Sequence, residues 1–463
     1  MTAILAVVAL AVLVWTAALL ARGGPLVGAL AVLTVGTFFG YLFFYVPVRP
    51  IPITADRVLF IIVMAIGVAG RRFGWTVKTP WNKADVLLAA LLLVLTASVA
   101  AGDWTYRGNL PASRLLFYYL MPAGMYWLTR QIALTDGQAR LAFGVLALLG
   151  VYTAATAVAE LFRLRELIFP RYIASSEHVE FFGRARGPFL NPASNGYFLS
   201  VGLCAAWMWW PRLASFGRAL LAASVLLFVA GLYATLTRCV WMGALAMAVV
   251  VGGLVLPRAW RAPLVILPVV LAVGLAAVQW ERLMELKRDE GRSAQEAVDS
   301  ARLRPILAVV AWRMFLERPV FGCGFGHYND TFTEALEDRS SDFPLDVARH
   351  YVQHNVLLGL LTETGLAGAG IFTALYCCWL ADSWRLWRSR APLWRRQIAL
   401  LFLATSASYW CNAMFQDLAI TPTVNMILFF LAGLARAAVP EARGETFSGD
   451  LHPTESEMIG QIS

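Results

Sequence analysis

Charged residues are scarce in this 463-residue sequence, at 14% of the chain against 59% hydrophobic residues. Soluble proteins carry about 25% charged and about 45–50% apolar residues. The shortage argues against a water-soluble globular domain and favours a chain whose main solvent is lipid.

Cysteine is also infrequent, and the six cysteines form neither a CxxC motif nor a cluster with histidine. The sequence therefore signals neither a disulfide framework nor a zinc site. The net charge is +9, but no basic and aromatic surface motif accompanies it, so we expect no nucleic-acid partner. In a membrane protein, basic residues instead collect in cytoplasmic loops.

Long apolar runs recur along almost the whole chain, and a spanning helix needs about 20 such residues. They predict an all-α, polytopic transmembrane helical bundle of about 12–13 spans, with 1–440 as the membrane domain and 441–463 as a disordered cytoplasmic tail. The run 219–256 is too long for one crossing, so we expect a turn at 235–238. The candidate spans are 3–21, 25–47, 53–70, 86–101, 115–135, 141–162, 193–210, 219–236, 239–256, 263–280, 355–380, 397–415 and 423–439.

Lysine and arginine are more frequent in one set of short loops than in the opposite set. The positive-inside rule makes the richer set, and with it the C-terminus, cytoplasmic. The loop 163–187, the turn at Arg238 and the long loop 281–354 then face outward. Within the long loop, 306–315 is apolar but too short to span, so we expect a short helix packed on the outer face of the bundle.

Five arginines in these outward segments suit an anionic substrate, because guanidinium groups bind phosphate through several hydrogen bonds. Interfacial arginines also contact lipid headgroups, so each one alone is open to that interpretation. They are Arg184 and Arg186 in a Gly- and Pro-flanked turn, Arg238 between two spans, and Arg302 and Arg304 before the short helix.

His354 and Asn355 stand where the long polar loop becomes an apolar helix. A neutral imidazole at such a position can accept a proton from a hydroxyl group. Glu363 is deeper in the helix and on another side, so we expect it to brace neighbouring helices. Gly322 and Gly324 follow no strand, which favours a tight turn with close backbone approach over a nucleotide-binding loop.

Taken in order, these segments resemble the O-antigen ligase and O-antigen polymerase superfamily. Residues 184–192 resemble its Arg-x-x-Gly-x-Phe-x-Asn-Pro segment, and 235–238 resemble its Thr-x-Ser-Arg turn, with Thr237 in place of Ser. The stretch from Arg304 to Gly324 resembles an arginine, a helix and Pro-x-x-Gly-x-Gly, with the usual tryptophan displaced to Trp312. The helix start from His354 resembles the family's His-Asn motif, with its later Glu-x-Gly. Arg186 stands where the family usually has a small residue.

The resemblance implies a multi-pass glycosyltransferase whose site lies on the outer, periplasmic face of the bacterial inner membrane. It would transfer a glycan from undecaprenyl diphosphate to an acceptor sugar hydroxyl, with inversion and with neither a metal nor a cofactor. His354 would be the base. The diphosphate would be held by Arg184, Arg238 and Arg304, with Arg186 and Arg302 as competitors for these roles. Asn191, Asn355, Glu363, Gly322 and Gly324 would support the site.

The acceptor stays open at this stage. A ligase would pass the glycan to lipid A-core, whereas an O-antigen or exopolysaccharide polymerase would extend a growing glycan with the same chemistry, and a protein-glycosylating relative is a further possibility. A lipid-glycan transporter or flippase is the alternative from another class. Transporters favour internal repeats and ionisable residues at mid-depth, and this sequence shows no repeat and few charges in its predicted spans.

Overall fold

The computed structural model describes residues 23–46, 53–72, 79–178, 180–263, 266–267, 270, 274, 294–329, 331 and 354–439. The predicted span 3–21, most of the predicted span 263–280, the tail 441–463 and most of the long loop outside 294–329 lie outside these residues.

The described chain is almost entirely helical, which confirms the predicted all-α bundle. Its helices are α1 (Gly23–Phe38), α2 (Gly40–Phe43), α3 (Ala55–Arg72), α4 (Lys83–Ala101), α5 (Tyr106–Leu115), α6 (Met121–Thr129), α7 (Asp136–Leu161), α8 (Pro192–Trp207), α9 (Ser215–Ala234), α10 (Arg238–Val255), α11 (Ala294–Glu317), α12 (Val356–Arg388), α13 (Leu393–Ala413) and α14 (Pro422–Ala437). A π-helical turn, Leu116–Leu120, joins α5 to α6. Single turns of 3-10 helix occupy Arg165–Leu167, Arg171–Ala174, Gly187–Phe189, Trp210–Arg212 and Leu418–Ile420.

Among the described residues, two short strands form a hairpin before α3. Strand β1 (Tyr45–Val46) pairs antiparallel with β2 (Ile53–Thr54), with Tyr45 opposite Thr54. The apolar patterns did not predict this hairpin, because two-residue strands carry no periodic signal.

Five described helices are long and apolar enough to cross a membrane, namely α4, α7, α9, α10 and α12. Helices α1 and α14 are apolar but shorter. Within the described chain the helices follow the predicted spans closely, and the run 219–256 does fold back, since α9 ends at Ala234 and α10 begins at Arg238.

The helix predicted at 306–315 is longer than expected. Helix α11 extends over Ala294–Glu317, and it continues through Pro305. Its apolar face, formed by Leu307, Val310, Ala311 and Met314, packs against Tyr328. The first turns of α11 were not predicted, because the residues before Pro305 are largely charged and the prediction relied on continuous apolar residues.

Neighbouring helices joined by short connections run antiparallel, so the connections alternate between two ends of the bundle. The motif end, as we call it, comprises 102–105, 162–191, 235–237 and 414–421. Direct hydrogen bonds link these connections: Ala185 N donates to Ala234 O at 2.9 Å, and the Ser194 hydroxyl donates to Thr421 at 2.9 Å.

Ion pairs tie the opposite end together. Asp85 at the start of α4 binds Arg130 after α6 at 2.6 Å, with both side chains buried. Asp136 at the start of α7 binds Arg212 after α8 at 3.0 Å. These two ion pairs link the helix ends at the side of the bundle opposite the motif end.

Candidate functional site

The turn that carries Arg184 and Arg186 is held by the partly buried side chain of Glu160. Glu160, near the end of α7, accepts hydrogen bonds from the backbone N–H groups of Gly187 at 2.9 Å and Arg186 at 3.3 Å. Gly187 has φ +54°, and a Cβ there would lie 2.5 Å from Asn195 Oδ1. Asn191 then caps α8 by accepting from the N–H groups of Ala193 and Ser194. The turn is therefore built for one backbone path.

The two arginines of this turn have different surroundings. Arg186 is 1% exposed, and its terminal nitrogens donate to the carbonyls of Ile173 at 3.0 Å, Ser175 at 2.9 Å, Glu180 at 2.9 Å and His178. Those bonds commit Arg186 to holding the loop 173–180. Arg184 instead rests over the ring of Phe181, 5.3 Å from its centroid, and it acts electrostatically on Arg304.

The second arginine turn is joined to the first. The carbonyl of Ala234, which ends α9, accepts the N–H of Ala185 at 2.9 Å. Leu236 has φ +46°, so the chain reverses within three residues and Arg238 opens α10. This backbone bond fixes the distance between the Arg184 turn and the Arg238 turn.

The third arginine and the histidine helix share another anchor, the turn that follows α13. Arg304 Nη1 donates to Phe415 O at 2.8 Å. Asn355 Nδ2 donates to Met414 O at 3.2 Å, while its Oδ1 caps α12 by accepting from Leu358 N at 3.0 Å. The turn 414–415 therefore positions both Arg304 and the residue that follows His354.

Arg184, Arg238, Arg304 and His354 are linked by electrostatic interactions, and we call them the cation cluster. The charge of Arg304 disfavours the charged forms of both Arg238 and His354, and Arg184 does the same to Arg304. Burial lowers the pKa of Arg304, and the charge of Arg184 acts in the same direction. Guanidinium groups stay protonated in proteins, so their positive charges are concentrated in one place and favour an anionic ligand.

His354, which belongs to this cluster, has a strained backbone with φ +48°. Such a conformation is uncommon outside glycine and persists where surrounding contacts impose it. Burial, together with the charge of Arg304, lowers the pKa of His354 to about 4. The imidazole is therefore neutral at pH 7 and can accept a proton.

The glycine-rich segment after α11 docks on a break in α12. Gly365 has φ +61° and interrupts the helix, which exposes backbone groups. Cys323 N donates to Thr362 O at 2.8 Å and Gly324 N to Glu363 O at 3.0 Å, as in a pair of strands. A Cβ on Gly322 would lie 2.5 Å from the carbonyl carbon of Glu363. The expected close backbone approach is confirmed, and it attaches α11 to the helix that follows His354.

Residues 222–373, about a third of the chain, match the O-antigen ligase family. The matched segment extends from α9 into α12. This match supports the assignment of the chain to the O-antigen ligase superfamily and implies glycan transfer of ligase or polymerase type by a bacterial membrane protein. No curated protein matches the chain.

The matched O-antigen ligase segment contains Arg238, Arg304, Gly322, His354 and Glu363. Arg184, Arg186 and Asn191 lie before it, and the structure connects them to it through the bond between Ala185 and Ala234. Arg302 is within the segment, in α11, but its side chain is outside the described part of the structure. Among the described residues, no group of three or more His, Cys, Asp or Glu side chains is arranged to hold a metal ion.

The sequence analysis missed the residues that support the site from other helices. Glu363 is 3% exposed and pairs with Arg114 of α5 at 2.5 Å, so it does connect two helices. No sequence pattern identified Arg114 as its partner. Asp417 acts electrostatically on Arg114, and burial raises the pKa of Asp417 to about 6. Glu160 could have been found, because a carboxylate within a predicted span is costly unless it is used.

Replacing Gly322 by alanine tests the docking of the glycine segment on α12. The added Cβ would lie 2.5 Å from Glu363 and Thr362 backbone atoms, so we expect Gly322→Ala to destabilise the protein by about 1–3 kcal/mol. Thermal unfolding in detergent measures the effect. Gly370→Ala is the matched control, because a Cβ there meets open space. An unchanged melting temperature for Gly322→Ala would contradict the close approach.

Proposed function

We propose that this protein transfers a glycan from undecaprenyl diphosphate to an acceptor sugar hydroxyl at the outer face of the bacterial inner membrane. The observation that supports the proposal most strongly is the cation cluster, in which the charge of Arg304 acts on a neutral His354 and on Arg238, and Arg184 acts on Arg304. Three guanidinium groups match a diphosphate, whereas a neutral imidazole matches a hydroxyl proton.

In the proposed reaction, the arginines bind the diphosphate oxygens of the donor. His354 removes the proton from the acceptor hydroxyl while its oxygen forms a bond to the anomeric carbon of the donor. The bond between that carbon and the diphosphate oxygen breaks, and undecaprenyl diphosphate leaves with the electron pair. Because the hydroxyl attacks opposite the leaving group, the anomeric configuration inverts. The arginines stabilise the charge that develops on the leaving oxygen.

The division of roles follows the contacts of each arginine. We propose Arg184, Arg238 and Arg304 as the ligands of the diphosphate. Arg186 instead holds the turn in place, because four backbone carbonyls already accept from its terminal nitrogens. Asn191, Asn355, Gly322, Gly324 and Glu363 position the helices that carry the cluster.

The orientation comes from the distribution of basic residues. The positive-inside rule puts the opposite end in the cytoplasm and the motif end outside, where a lipid-linked glycan would meet its acceptor. In the ligase reaction that we propose, the acceptor is lipid A-core. The product is then glycan attached to lipid A-core, whereas a polymerase would produce a longer lipid-linked glycan.

Removing the proposed base tests the reaction directly. We expect His354→Ala to lower transfer by about 100- to 10,000-fold, which is the usual contribution of general base catalysis. The assay uses vesicles with undecaprenyl diphosphate glycan and lipid A-core from the native cells, and it compares variants at equal protein levels. His327→Gln is the matched control, a histidine at the same end that contacts Tyr106. Full activity of His354→Ala would refute the mechanism.

The two arginines of the first turn are expected to respond differently to substitution. Arg184→Lys should weaken donor binding by about tenfold, because lysine loses multidentate contact, with little change in melting temperature. Arg186→Lys should destabilise the protein by at least about 1–3 kcal/mol, because buried carbonyls lose their donors. Donor KM and thermal unfolding measure both effects. Weaker donor binding in Arg186→Lys and a lower melting temperature in Arg184→Lys would contradict the proposed roles.

The pH dependence tests the state of His354. A base acts only when it is unprotonated, so its activity is lost as the pH falls through its pKa. Since the pKa of His354 is lowered to about 4, kcat/KM should stay level through the range where an ordinary histidine, with a pKa of about 6.5, would be protonated. Arg304→Gln removes the cation that opposes protonation and should move the acidic limb to higher pH. A limb near the ordinary value in the unmodified enzyme would contradict the buried, neutral imidazole.

A further inference from the structure

A second concave region lies at the motif end, next to the cation cluster but lined by other residues. Its cavity volume is about 600 Å³, within the usual range of small-molecule sites, about 300–1,000 Å³. The start of α3, the turn between α5 and α6, the residues 180–181 and 188–191 and the start of α14 contribute to its walls. Among the lining residues, the proposed reaction gives a supporting role to Asn191, which caps α8.

The polar groups of this cavity carry both signs of charge. Asp56 and Glu180 contribute carboxylates, and Arg57 contributes a guanidinium that lies over the Phe117 ring, 3.4 Å from its centroid. Asp56 Oδ1 is buried and has no hydrogen-bond partner within the described structure. Asp56 as a whole is only partly buried and lines the cavity, so a ligand that brings hydroxyl donors would bind its carboxylate.

Aromatic rings complete the lining. Phe117, Tyr118 and Phe181 line the cavity together with the charged groups. A sugar ring has apolar C–H faces and a rim of hydroxyls that both donate and accept, so it matches alternating aromatic and polar walls. The mixed charge distinguishes this cavity from the cation cluster and disfavours a second phosphate.

The cavity and the cation cluster meet at one residue. Phe181 lines the cavity, and the Arg184 guanidinium lies 5.3 Å from its ring centroid. In a glycan diphosphate the first sugar is bonded directly to the phosphate, and in the transfer step the acceptor sugar must approach that same sugar. A glycan chain that leaves the cluster past Phe181 would therefore enter the cavity.

We propose that this cavity is an oligosaccharide subsite, with Asp56 as an acceptor for sugar hydroxyls and Phe181 as the ring between the sugar and the diphosphate. This inference rests on the proposed function and names where the glycan of one of its two substrates is held. The donor glycan and the acceptor glycan share the required chemistry, and the test separates them.

The binding test uses protection of an introduced thiol. Ser113→Cys places a thiol in the cavity wall, and an impermeant maleimide reports its accessibility in vesicles, with the unmodified protein as background. The probes are two oligosaccharides from the native cells, one released by mild acid from the undecaprenyl diphosphate pool and one released from lipid A-core. Ser176→Cys, at an exposed position of the same end, is the matched control.

We expect one oligosaccharide to slow labelling of Ser113→Cys at least about fivefold and to leave Ser176→Cys unchanged. The protecting oligosaccharide identifies the donor or the acceptor as the occupant. Labelling that neither oligosaccharide slows would overturn the subsite. The same measurement in a His354→Ala background separates the two proposals, since binding should persist there when transfer is lost.

A kinetic test addresses Asp56 itself. Asp56→Asn keeps the shape and removes the charge, so KM for the substrate that occupies the cavity should rise about tenfold, with kcat and KM for the other substrate unchanged. Glu166→Gln is the control, a carboxylate at the same end whose side chain is 90% exposed. An Asp56→Asn enzyme with both KM values unchanged would refute the role of Asp56.

Discussion

Backbone hydrogen bonds between loops hold the site together against the repulsion of its own charges. Ala185 binds Ala234, and Cys323 and Gly324 bind the broken turn of α12, so each arginine-bearing segment is attached through main-chain atoms. This attachment holds the arginine-bearing segments close together although their positive charges repel one another.

The glycines of the family motifs make this attachment possible. Gly322 and Gly365 bring two main chains so close that any side chain would collide with the opposite backbone, and Gly365 also has a positive φ. Two acidic side chains also hold these segments in place. Glu160 binds the Arg184 turn, and Glu363 binds α12 to Arg114 of α5. The positive charges of the cluster are therefore held in place by acidic side chains that bind other parts of the protein.

The sequence predicted the helical bundle well, because an apolar run of spanning length is a strong signal and the reversal at Arg238 follows from helix length alone. It also predicted roles for His354 and five arginines, but it could not distinguish the surroundings of Arg184 from those of Arg186. That distinction depends on which carbonyls the folded loop 173–180 presents, and no local pattern encodes it. The roles of Arg114 and Asp417 were not predicted for a similar reason, because each interacts with residues far away in the sequence. The extent of α11 was missed because its first turns are polar.

The central claim is that Arg184, Arg238 and Arg304 form a diphosphate site beside His354. Binding of undecaprenyl diphosphate to the protein in lipid nanodiscs, compared with binding of uncharged undecaprenol, tests it most directly. The account predicts that the diphosphate binds, that undecaprenol does not compete with it, and that Arg304→Gln weakens the diphosphate complex by about tenfold or more. Equal affinity for the two lipids, or an Arg304→Gln protein that binds the diphosphate as tightly as the unmodified chain, would contradict it.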